Sequence, residues 1–309
     1  MRARLASLDI ARGVAIIAMI AYHLFWDLGN FGYIDPALPY SPQVKFLGHL
    51  IAISFLLIVG VSLVLAQDKG QGAFWRRIAL IAGAAALVSL GTYLMFPEAF
   101  VFFGILHCIA AASVLALPLL NLPWFASLLA AALSIFAPLL LLNAIFDAPF
   151  LTWIGLSTSN PPTNDYRPLL PWAGYVFLGV AAAQLWRARA LAPLCADWRN
   201  PPFAFLGRHS LAIYLIHQPI LFGLFQGVAS IGAFRTPMDD EVFLGQCEAS
   251  CVEKLDAAYC HAQCLCIADG MRNVTLGELV DSEERVRRIQ ELAQICAERV
   301  ETKPREQQQ

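Results

Sequence analysis

Charge is what this sequence has least of. Only 14% of its 309 residues are Asp, Glu, Lys or Arg, against about a quarter in an ordinary soluble domain. Hydrophobic residues make up 58%, and mean hydropathy is +0.60. A chain this poor in charge lacks the polar surface to coat a water-soluble globule, which excludes a soluble enzyme, a nucleic-acid binder and a fibrous protein. The scarcity is local. Residues 1–234 carry 12 basic and 8 acidic residues, whereas residues 235–309 carry 9 and 15. The chain therefore reads as a membrane-embedded domain over 1–234 and a hydrophilic tail over 235–309. The polar/apolar alternation of barrel strands is also missing, so helices are expected to do the crossing. No small-x-small cleavage site follows the first apolar run, which holds His23 and Asp27 and is preceded by Arg2 and Arg4. That run is read as a retained helix and not a signal peptide.

A spanning helix needs about 20 mostly apolar residues, because the hydrocarbon core is about 30 Å thick. Seven stretches qualify: 8–28, 46–66, 77–96, 100–120, 123–146, 169–187 and 205–229. The expected fold is thus an all-α polytopic membrane bundle with a polar, Cys-rich helical tail. Arg2, Arg4, Lys69, Arg76, Arg77, Arg187, Arg189, Arg199 and Arg208 fall on one side, and only Lys45 and Arg167 on the other. Positive-inside bias makes the N-terminus cytoplasmic, and an odd number of spans puts the tail outside, on the periplasmic face of a bacterial inner membrane.

The first span is interrupted by Asp9, Arg12, His23 and Asp27. At about 100° per residue these share one stripe roughly 60° wide, with Arg12 and His23 about 16 Å apart along the axis. Asp27 lies one turn beyond His23, where a carboxylate can fix an imidazole's tautomer. Ionisable groups in hydrocarbon cost a few kcal/mol each and mark function more often than structure. For His23 that cost weighs against the reading as a satisfied structural histidine. For Asp9, a position at the headgroups capping the helix remains open.

These residues carry a resemblance. Ser7-Leu8-Asp9-Ile10-Ala11-Arg12-Gly13 and Ala21-Tyr22-His23-Leu24-Phe25-Trp26-Asp27 are similar to the opening of the bacterial relatives of heparan-α-glucosaminide N-acetyltransferase. The spacing from Arg12 to His23 also resembles the signature of the wider transmembrane acyltransferases that modify envelope sugars. Phe103-Gly104-Ile105-Leu106-His107, the segment from Asp165 to Trp172, and the segment from Phe205 to Pro219 fit the same family in order, over about residues 5–230.

The resemblance implies transfer of an acyl group, acetyl above all, from cytoplasmic acyl-CoA to a sugar or related small acceptor at the far face. In that chemistry His23, with Asp27, is the catalytic candidate, as general base or acyl acceptor. Arg12 is placed to bind phosphate or pantetheine oxygens of CoA. Arg208, with Arg76 and Arg77, would add an anion-attracting rim, although plain positive-inside topology explains those three at least as well. Acetyl-CoA would be a co-substrate, with no resident cofactor and no metal.

Other candidates are more open. His107, by its family position, is weighed evenly between a site residue and a buried histidine bonded to a neighbouring helix. His217 precedes Pro219 and is expected in a local polar network with Gln218 and Tyr214. His49 and His209 read as interfacial. The outer loop 147–168 holds Trp153, Asn160, Asn164, Asp165, Tyr166 and Arg167. Aromatic faces beside amides and carboxylates suit a sugar, and equally describe an aromatic belt with a turn-rich loop.

Six of the eight cysteines lie in the tail; Cys108 and Cys195 belong to the membrane domain. Cys247 and Cys251, then Cys260 and Cys264, form two CxxxC pairs. Cysteines four apart share a helix face, so a hairpin could join Cys247 to Cys264 and Cys251 to Cys260 by disulfides. A zinc site using these thiolates and His261 is the competing reading, and the absence of CxxC knuckles counts against it. A charged helix is expected over 282–300 and disorder over 297–309. Two rival functions stand beside acyl transfer. One is a transporter whose intramembrane His, Arg and Asp relay protons. The other is a membrane scaffold whose Cys-rich tail binds a partner.

Overall fold

The computed structural model describes residues 6–31, 33–34, 38–189, 201–230, 244–245, 247–248, 251–252, 256–272 and 291–300. Every regular element among the described residues is helical. In order these are α1 (Ala6–Asn30), α2 (Pro42–Ala66), α3 (Gln71–Met95), α4 (Ile105–Leu115), α5 (Trp124–Leu141), α6 (Leu169–Ala188), α7 (Pro201–Arg208), α8 (Ser210–Ser230) and α9 (Ala257–Arg272). A further helical stretch runs over 291–300. Six of them, α1, α2, α3, α5, α6 and α8, are long and apolar enough to cross a bilayer, so this is a multi-pass membrane protein. Leu94, Leu139 and Leu140 are 74%, 76% and 82% exposed, an apolar surface suited to lipid and costly in water.

The expected span 100–120 takes a different form. Its α-helix, α4, has 11 residues, about 16 Å of rise against a core about 30 Å thick. The segment nevertheless runs between opposite ends of its unit. At one end, the backbone N–H groups of Asn164 and Arg167 donate to the carbonyls of Ala99 (2.9 Å) and Phe103 (3.1 Å). The Thr163 hydroxyl donates to the Phe100 carbonyl there as well. At the other end, the Gln67 amide just beyond α2 donates to the Leu120 carbonyl. The Gln184 amide, late in α6, donates to the carbonyls of Leu119 and Leu122. Irregular backbone at this depth is tolerated because protein groups satisfy it.

Small residues set the central crossing. A Cβ on Gly60 would strike the Val176 carbonyl, and one on Gly179 the Leu57 carbonyl, so α2 and α6 meet backbone to backbone. Leu56, Cys108, Ala112, Val176 and Val180 are fully buried in the core that this contact organises. Helix α6 begins irregularly: Leu170 is extended and its bond to Pro171 is cis. Helix α7 lies against the first turns of α1, since a Cβ on Gly13 would meet the Phe203 carbonyl and one on Gly207 the Asp9 carbonyl.

The chain divides into two compact units, one of Met1–His23 with Tyr40–Gln218 and the other of Leu24–Pro39 with Pro219–Gln309. The packing above belongs to the first. In the second, Phe31 stacks on Phe225 at 5.5 Å and meets Phe222 edge-on at 5.2 Å. The same unit holds three disulfides: Cys247–Cys264, Cys251–Cys260 and Cys266–Cys296. Asp256 caps α9 by accepting the Ala258 N–H at 3.0 Å. Cys260, Cys264, Ile267, Ala268 and Cys296 are the buried apolar residues among the described part of the tail, a small core of the kind that disulfides make viable.

The bridge from Cys266 to Cys296 had no spacing motif to announce it. Residues 297–300, counted above with the disordered end, are helical. The 234/235 boundary, Arg2, Arg4, Cys195, Arg199 and residues 282–290 and 301–309 lie outside the described residues.

Candidate active site

Two polar clusters sit on α1 within the first unit. The first surrounds Arg12. Its Nη1 donates to Asp9 Oδ1 at 2.9 Å, one turn earlier on the helix. Its Nη2 donates to the Ser62 hydroxyl of α2, which itself donates to the Ile58 carbonyl. Asp9 and Ser62 are buried, and a carboxylate there is tolerable because a guanidinium pairs with it. Arg77 of α3 lies near enough for its charge to act on that of Arg12. Arg208, ending α7, is exposed. Ser62 went unread in the sequence, because a lone serine in an apolar helix carries no signal.

The second cluster lies three turns along. The ring centroids of His23 and His217 are 4.9 Å apart, inclined at 65°, and Tyr22 meets His23 edge-on at 5.7 Å. His217, on α8, is buried and donates its Nδ1–H to the Tyr214 carbonyl at 2.7 Å. The charge of Arg167 reaches Tyr22, His23 and Tyr214. Its guanidinium lies 4.8 Å over the Trp172 ring, and Trp172 stacks in turn on His49 at 5.4 Å. Tyr22 seats against Gly48 of α2, where a larger residue would collide with its ring. The imidazole pair thus sits beside an aromatic wall with one cation.

The remaining candidates are tied into the framework. Asp165 Oδ2 accepts the Ile105 N–H at 3.1 Å, capping α4, and the same carboxylate lies 3.6 Å from Arg167. The Tyr166 hydroxyl donates to the Thr152 carbonyl at 2.6 Å, and burial pushes its phenol up. His107 accepts the Gly104 N–H on Nδ1, which leaves the proton of the neutral ring on Nε2, 3.3 Å from the Ser89 hydroxyl. Ser89 passes the chain on to the Val101 carbonyl. Both nitrogens of His107 are therefore engaged at the start of its own helix. Asp147, in the loop before α6, is held by the Ser157 hydroxyl and by the hydroxyl and N–H of Thr158, which keep its carboxyl below the usual range. Asp27, four residues after His23, is fully buried and belongs to the second unit. Among the described residues, no group of three or more His, Cys, Asp or Glu is placed to hold a metal.

A family model described as heparan-alpha-glucosaminide N-acetyltransferase, catalytic, matches residues 4–219. No curated protein and no solved structure matches the chain. The matched span takes in both clusters of α1 and the turn that carries His217, and it stops short of the disulfide-bonded tail. On that match the chain belongs to the heparan-α-glucosaminide N-acetyltransferase family, a family of membrane acetyltransferases.

Proposed function

We propose that this protein takes an acetyl group from acetyl-CoA at the Arg12 end of α1 and delivers it to a sugar or related small acceptor at the His23 end. The observation that carries this reading is the imidazole of His23, paired with His217 inside an acetyltransferase-family domain, about three turns from a half-buried guanidinium. Arg77 lies close enough for its charge to act on that of Arg12, so a phosphate of CoA entering there meets two guanidinium groups. Arg208 extends that rim. His23 then serves the acceptor as a base, or accepts the acetyl group itself. Arg167, Trp172 and His49 suit an acceptor with hydroxyls and C–H faces. Asp165 steadies that wall through its contact with Arg167, while Tyr166 and His107 brace the framework around it. Asp27 is assigned, from its spacing alone, to steadying the His23 imidazole.

The same reading has a sidedness. Lys69, Arg76, Arg77, Arg187 and Arg189 gather where Gln67 and Gln184 lie, and Lys45 and Arg167 fall at the opposite end. Positive-inside bias makes the first end cytoplasmic. Counting α4 as a traverse, the tail then faces the periplasm of a bacterial cell, where disulfides persist.

The test is acceptor-dependent release of free CoA thiol from acetyl-CoA by the purified full-length protein, with aminosugars offered as acceptors. Release that is lost in His23→Ala is the expected result. A protein that binds no CoA compound overturns the proposal and leaves the proton-relay transporter in front.

A further inference from the structure

We propose that His217 is a second catalytic imidazole, whose Nε2 carries the proton while His23 carries the acetyl group. This deepens the acetyltransferase reading and rests on it.

Helix α8 is mostly bare: Ile216 and Ile220, flanking His217, are 53% and 60% exposed, whereas His217 is 7% exposed. Burying a polar ring on such a helix needs a reason, and its own bonds supply only half of one. Nδ1–H is committed to the Tyr214 carbonyl, which fixes the tautomer and leaves the lone pair on Nε2. That Nε2 is buried and has no hydrogen-bond partner among the described residues. His107 shows what a structural histidine in this protein looks like, with partners for both nitrogens. His49 and His209 are exposed and each bonds a carbonyl one turn back on its own helix. Nδ1 faces the backbone of α8, so Nε2, on the other side of the ring, projects away from that backbone. The His23 ring is 4.9 Å off, centroid to centroid. An oriented, unprotonated nitrogen excluded from water beside a candidate nucleophile is the arrangement a general base requires.

The steps balance. The unprotonated nitrogen of His23 attacks the thioester carbonyl, an N–C bond forms and the C–S bond breaks. The proton shed by the acylated ring passes through His217 Nε2 to the departing thiolate, giving free CoA thiol and acetyl-imidazole. In the second half the acceptor's oxygen or nitrogen attacks the acetyl carbon and gives its proton to His217 Nε2. The bond from acetyl to His23 breaks, and that proton returns to the His23 ring.

The experiment compares full-length wild type, His23→Ala, His217→Gln, His217→Asn and His217→Ala, with kcat and both KM values measured beside thermal melting. His217→Gln and His217→Asn are expected to lower kcat about 100-fold or more, the scale of a lost general base. Their KM for acetyl-CoA should stay within about twofold of wild type and their melting should be unchanged. Added imidazole should restore part of the lost rate in His217→Ala. If either amide variant works within about threefold of wild type while His23→Ala is inactive, the role of His217 falls and the acetyltransferase reading stands. Rate loss that comes with raised KM, lowered melting and no rescue by imidazole also overturns it, in favour of a structural residue. Failure of the wild type to consume acetyl-CoA with any acceptor removes the reading beneath.

Discussion

Arg12 and His23 share one helix, about three turns apart, and are held in opposite ways. Arg12 is clamped by a buried carboxylate and a serine hydroxyl, with the α7 backbone pressed against Asp9. His23 touches rings, those of Tyr22 and His217, and the latter keeps one buried nitrogen without a hydrogen bond among the described residues. A guanidinium fixed by a carboxylate and a hydroxyl keeps its charge and its place, which suits recognition of an anion. A nitrogen left with its lone pair unused, on a ring that packs beside another imidazole, is costly to bury and ready to move a proton. Under the function proposed above, the contrast divides the stripe on α1 into a binding end and a chemical end.

The largest effect expected from breaking that contrast is on His23. His23→Ala should lower kcat at least about 1,000-fold, within the range for a lost nucleophile or base, with melting nearly unchanged. Next is Arg12→Ala, expected to raise KM for acetyl-CoA about 10- to 100-fold with a smaller effect on kcat. It should also lower melting, because buried Asp9 loses the guanidinium that pairs with it. Adding Asp9→Asn should recover part of the melting temperature and none of the KM. A pure kcat defect in Arg12→Ala would erase the distinction between the two ends.

Smaller effects sharpen the comparison from the side of groups with all their bonds made. His107→Ala should cost about 1–3 kcal/mol of stability through the lost bonds to Gly104 and Ser89, read by thermal or denaturant melting, with kcat/KM preserved. The smallest is electrostatic. Hydrogen bonds from Ser157 and Thr158 hold the Asp147 carboxyl below its ordinary value, so the ionised form is favoured in the folded loop. Its contribution is therefore present above the usual carboxylate range and lost as pH falls through the lowered value. Protection of the Thr158 amide, measured against its intrinsic exchange rate at each pH, should fall in acid for wild type and should already be low at neutral pH in Asp147→Asn.

Much of the fold was legible because hydrocarbon imposes its thickness on sequence: the helical bundle and the Cys-rich tail follow from apolar runs and charge counts. The shortness of α4 was not legible, since apolar length says where a chain can reside and not how much of it is helical. That depended on donors from residues 163–167, sixty positions away. The stripe of α1 was readable because it is a property of one helix. The approach of His217 to His23 joins residues almost two hundred positions apart, and Ser62, Ser89 and the Cys266–Cys296 bridge likewise acquire meaning only through tertiary neighbours.

The most direct test of the central claim is transfer from isotope-labelled acetyl-CoA by the full-length protein in sealed vesicles, wild type against His23→Ala. The account predicts label on the acceptor with wild type and none above background with the variant. Equal labelling by both proteins would contradict it.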